Sequence, residues 1–79
     1  MDTTTLDQMI GARVTATRDE SGISDAALSE VTGIPRATLQ RSLRGLRPFR
    51  VSELALLGAA LDVAYAEWLT APSPNPVPA

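Results

Sequence analysis

Apolar residues recur along this chain at helical intervals, and no stretch alternates in the manner of a strand. Leu6, Ile10 and Val14 stand at i, i+4 and i+8 with Met9 beside them, so one face of a helix over residues 6–20 is apolar. Thr5 with Gln8 three positions on is a capping-box signal for its start, and Gly22 supplies its stop. Ser24 is placed to cap a second helix running through Val31, with Asp25 favourably set in the first turn. Gly33 ends that helix in the left-handed conformation. A third helix begins at Pro35, where the missing N–H costs nothing, and runs to about Arg44 before Gly45. Ser52 with Glu53 caps a fourth helix through Leu61, and a short fifth, about Ala64 to Leu69, carries Tyr65 and Trp68. The pattern predicts an all-α protein: one compact five-helix bundle over residues 1–70 around a single small core. Residues 71–79 hold four prolines and are expected to be an extended, disordered tail.

Two short helices joined by a tight turn that begins at Gly33 are the sequence form of a helix-turn-helix. Ala27 and Leu28 face inward on the first of the pair. Ile34, Leu39 and Leu43 anchor the second. Because Leu39 and Leu43 are four apart, that face of the third helix is buried. The opposite face then presents Arg36, Ala37, Gln40 and Arg41, with Arg44 at the end. Arginine can donate a bidentate pair to guanine in the major groove, and glutamine can do the same to adenine.

Charge sharpens the picture. The formal net charge is −2, yet Arg36, Arg41, Arg44, Arg47 and Arg50 follow one another with no acid between Glu30 and Glu53. A local basic block on the third helix and the loop behind it is the footprint of a surface that meets phosphate. Arg44, Arg47 and Arg50 would run beside the sugar-phosphate backbone. All seven cations are arginine, which suits bidentate contacts to phosphate and guanine as well as it suits a GC-rich codon bias. There is no cysteine and no histidine. That removes a disulfide framework, thiolate and imidazole metal ligands and the commonest general base. No catalytic set remains, so an enzyme is not expected, and no cofactor, metal or small-molecule ligand is inferred. The N-terminus shows no basic segment followed by an apolar run, and the longest apolar run, Leu54 to Leu61, is far short of a membrane span. A cytoplasmic protein is the expectation.

From Ile10 to Leu69 the stretch IGARVTATRDESGISDAALSEVTGIPRATLQRSLRGLRPFRVSELALLGAALDVAYAEWL resembles the lambda-repressor/Cro-like (Xre) helix-turn-helix family, segment by segment. The resemblance implies a lambda-repressor-like five-helix bundle that reads double-stranded DNA, usually as a homodimer, and usually represses transcription. Carried over by position, Arg36, Ala37 and Arg41 match residues that face bases. Arg44 and Arg47 match positions that touch phosphate or reach the groove edge. Three residues depart from the pattern. Asp25 stands where the family often has a glutamine on the DNA backbone, so that contact is not carried over. Pro35 replaces the usual serine-type cap. Leu43 stands where many members carry a glutamate paired with the arginine at Arg18, so Arg18 is expected to turn to Glu30 or to solvent.

Outside the arginine block, Trp68 is expected to pack rather than to stack on a base, and Tyr65 similarly. Leu56 and Ala59 stand three apart on the fourth helix where the family usually shows polar residues. They are either an exposed apolar pair that forms a dimer interface or are buried by a tilt of the helix. The reading that results is a sequence-specific DNA-binding repressor of phage or prophage type that acts by operator occupancy. Its alternatives are a DNA-binding antitoxin whose main partner is a toxin protein, and an interaction module that has lost DNA binding.

Overall fold

The computed structural model describes residues 2–70. Four α-helices follow in order: α1 (Thr3–Ser21), α2 (Asp25–Thr32), α3 (Arg36–Leu43) and α4 (Val51–Leu61). A 3₁₀ segment, Tyr65–Leu69, closes the described chain. The all-α expectation holds. The fifth helix is a 3₁₀ turn, so the architecture is four α-helices and one such segment rather than five α-helices. The expected tail over 71–79 lies outside the described residues.

Local chemistry explains most of the boundaries. Gly22 and Gly33 end α1 and α2 at φ 71° and 78°, the left-handed region that glycine enters without steric cost. Ser24 caps α2, its hydroxyl accepting the Ala27 N–H at 3.1 Å. Three starts differ from the sequence expectation. Pro35 is the N-cap of α3 rather than its first residue, which is Arg36. α1 begins three residues earlier than Leu6, because the Asp2 carboxylate accepts the Thr5 N–H at 2.8 Å and takes the capping role assigned to Thr5. α4 begins at Val51 behind Arg50. Here Glu53 reaches back to accept the Arg50 N–H at 2.8 Å, so the glutamate half of the expected cap is present and Ser52 lies inside the helix.

Every element contributes to one core: Val14, Leu28, Ile34, Leu39, Leu54, Leu57, Leu61 and Trp68 are buried. Ile10, Leu43 and Phe49 are packed against its edge. Truncating a fully buried leucine such as Leu39 would cost about 2–5 kcal/mol. α3 sits on α1 at close quarters. A Cβ at Gly11 would lie 2.7 Å from the carbonyl oxygens of both Ser42 and Leu43, so only glycine lets the end of α3 approach. The 3₁₀ segment is tied to α1 through polar groups. The Trp68 indole N–H donates to Thr17 Oγ1 at 3.0 Å, and the Arg13 guanidinium donates to the carbonyls of Trp68 and Thr70. Trp68 is thus core, as its sequence position suggested, while Tyr65 stays on the surface.

Candidate nucleic-acid interface

The turn between α2 and α3 is braced by its own hydroxyls. Ser29 Oγ donates to the Ile34 carbonyl at 2.6 Å. Thr32 Oγ1 donates to the Leu28 carbonyl at 2.6 Å and accepts the Ile34 N–H at 3.3 Å. The two bonds to Ile34 secure the N–H and carbonyl of the linking residue, and the third ties the Thr32 hydroxyl back onto α2. Pro35, at φ −54°, then launches α3 with no side-chain cap, in keeping with the departure seen in the sequence. The pair α2–α3 is therefore fixed as a unit before α3 meets anything outside the protein.

Burial divides α3 into two faces. Leu39 and Ser42 are fully buried, and Arg36, Ala37, Arg41 and Arg44 are exposed. Gln40 is half-buried on the flank. It lines a shallow open cleft with Thr15, Arg18, Asp25, Leu43 and Arg44. The exposed set carries three positive charges and no acid, and nothing else in the described chain covers it.

Two of the sequence-predicted residues are already engaged within the chain. Gln40 Nε2 donates to Asp25 Oδ2 at 3.4 Å. Arg47 forms a forked pair with Glu53, Nη1 to Oε1 at 2.9 Å and Nη2 to Oε2 at 3.2 Å, and Nη1 also donates to Ser42 Oγ at 3.0 Å. Burial would push the Glu53 carboxyl up, but the Arg47 hydrogen bonds, the Arg50 N–H and the nearby positive charges outweigh it and hold it below the usual carboxylate range. Arg44 and Arg50 are exposed beside this clamp. On the far side of α3, Arg18 finds a partner other than Glu30 or solvent. Its guanidinium pairs with Asp25 and with Asp19, the latter at 2.7 Å, and the two hydrogen bonds raise its pKa further above the ordinary arginine value. Sequence reasoning missed this Arg18–Asp25–Gln40 network and the Arg47–Glu53 fork. Offsets of six, seven and fifteen residues gave no hint, since the partners meet only once the helices pack.

Leu56 is 47 % exposed, and Ala59 is exposed as well, which decides between the two readings of the α4 pair in favour of a surface position. Leu46 and Val51 are exposed too, in the loop ahead of α4 and at its start.

A braced turn between two short helices, the second with a buried apolar side and a bare basic side, defines a helix-turn-helix domain of the kind that DNA-binding regulators use. The family model for the antitoxin Xre-like helix-turn-helix domain matches residues 6–62, from the first turns of α1 to the end of α4, and the chain belongs to that family. No curated protein matches the chain. No helix of the described residues is long and apolar enough to cross a membrane.

Proposed function

We propose that this protein is a sequence-specific double-stranded DNA-binding transcriptional regulator that represses by occupying an operator. α3 enters the major groove, with Arg36, Ala37, Gln40 and Arg41 toward base edges. Arg44 and Arg50 meet phosphate on the flank. Arg47 acts through Glu53 and Ser42, holding the loop that carries its two neighbours. The observation that carries this reading is the division of α3: its outward face is exposed, wholly non-acidic and rich in arginine, while the inward face locks it to the core. Bound across an operator, the domain would exclude polymerase.

Duplex binding that weakens steeply with salt is the expected result, at a slope of about −0.9 per neutralised phosphate. Enrichment of random duplexes by the purified chain should converge on one site. Affinity that is insensitive to salt and enriches nothing would overturn the reading and leave the interaction-module alternative.

A second reading, a DNA-binding antitoxin whose decisive partner is a toxin protein, draws support from the family's own description. It keeps the same α3 and adds a protein-facing surface. Its test is genetic: a reading frame adjacent to this gene should arrest growth when expressed alone and not when this chain is co-expressed.

A further inference from the structure

We propose that Asp25 selects the base that Gln40 reads, by fixing which end of the Gln40 amide faces the groove. The inference rests on the DNA-reading function proposed above. Asp25 is otherwise a puzzle: it is an acid at the start of α2, beside a surface meant to approach phosphate. Its carboxylate is occupied on both oxygens, Oδ1 by Arg18 and Oδ2 by Gln40 Nε2. Arg18 is itself held by Asp19, so the guanidinium that pairs with Asp25 is fixed in place behind the carboxylate.

A carboxylate only accepts hydrogen bonds, while a glutamine amide donates from one end and accepts at the other. Gln40 therefore meets Asp25 with its NH₂. Reversed, its carbonyl oxygen would face a carboxylate oxygen at hydrogen-bond distance with no proton between them. The amide is planar and its two ends diverge, so holding Nε2 against α2 turns Oε1 away from Asp25, and since no buried side-chain oxygen among the described residues lacks a partner, Oε1 is open to the surroundings of α3. An unrestrained glutamine reads adenine with both ends, giving a proton to N7 and taking one from N6. Gln40, restrained, has one of its two N–H donors held by Asp25, and the group we infer it turns to the groove is the Oε1 acceptor. In the major groove the donors are adenine N6–H and cytosine N4–H, whereas guanine and thymine present O6, N7 or O4 acceptors. The base facing Gln40 is then adenine or cytosine, and guanine and thymine are rejected by oxygen meeting oxygen.

The test begins with random-duplex enrichment by the wild type, Gln40→Ala and Asp25→Asn. Gln40→Ala should relax one base position, which in the wild-type site is adenine or cytosine. Asp25→Asn should relax the same position and admit guanine or thymine, because an asparagine can accept or donate and so lets the Gln40 amide turn over. A position that reads guanine or thymine in the wild type, or one that Asp25→Asn leaves unchanged, overturns the inference. A wild type that enriches no sequence overturns the DNA-reading function with it, so the two failures are told apart.

A second measurement needs only the wild-type protein and the enriched site. Removing the exocyclic amine at that position, with purine for adenine or 2-pyrimidinone for cytosine, should weaken binding on the order of five- to tenfold. At an adenine, replacing N7 by carbon should leave affinity unchanged. Equal losses from the two analogues would show that Gln40 also donates, and the proposal fails.

Discussion

Arg36 and Arg47 bear the same guanidinium in opposite circumstances. Arg36 is exposed in the first turn of α3 with its donors free of the carboxylates that hold Arg18 and Arg47. Arg36 and Arg41 lie five positions apart, some 140° around the axis, so they reach different base pairs or divide between base and phosphate. Arg36 is the better base reader, since recognition helices enter the groove N-terminus first. Arg36→Ala should cost about 1–3 kcal/mol on the enriched site and relax one base pair, with a much smaller loss on random duplex. Equal losses on the two duplexes would reduce Arg36 to a phosphate clamp. For Arg47 and Arg50 the expectation divides. Arg50→Ala should flatten the salt dependence by about one unit while leaving the melting temperature nearly unchanged. Arg47→Ala should do the reverse, because it strands the half-buried Glu53 carboxylate and frees the loop, and its effect is read as a lower melting temperature.

The loop between α3 and α4 is fixed from both of its ends. Glu53, in the first turn of α4, joins the two ends: it accepts from the Arg47 guanidinium and from the N–H of Arg50, the cap residue. Its folded pKa is depressed, which means the folded chain prefers the ionised form more than the unfolded chain does. The stabilisation is therefore fully present above the ordinary carboxylate value of 4.5 and is lost as pH falls below it through the folded value. Melting temperatures recorded from neutral pH down to about pH 3 should fall, and Glu53→Gln should start lower and fall less. An identical pH profile for the two proteins would remove Glu53 from the clamp. What the sequence showed of these elements follows the range of the interaction involved. Gly22, Ser24 and Gly33 act on their own backbone within a few residues, so their signatures could be read directly. Thr5 with Gln8 carries the capping signal for α1, yet Asp2 serves, because the helix extends three residues further toward the N-terminus than the apolar pattern marks. Arg47–Glu53 and Asp25–Gln40 are unions of side chains from different elements. Residue type and spacing carry no record of them, although the outward set Arg36, Ala37 and Arg41 was legible from the burial of Leu39 four residues before Leu43.

For the whole molecule, the exposed apolar residues of α4 ask for an explanation that the core does not supply. Leu56 and Ala59 lie on the side of α4 away from the buried Leu54, Leu57 and Leu61. Two copies meeting there would place two recognition helices on one face of a duplex, and the operator would carry two half-sites about one helical turn apart. Leu56→Glu should leave helical circular dichroism intact and reduce cooperative binding to a two-site duplex. Unfolding by this change would return Leu56 to the core.

One feature of the core has an optical side. The chain has a single tryptophan, and Trp68 is 3 % exposed, clasped between α1 and α4 by a segment that does not touch α3. Its emission should therefore be blue-shifted in the native state and move to the red on denaturation, reporting every unfolding experiment above without a dye. Since no base can stack on it, duplex should neither quench nor shift that emission, and the same cuvette that follows melting would be blind to binding.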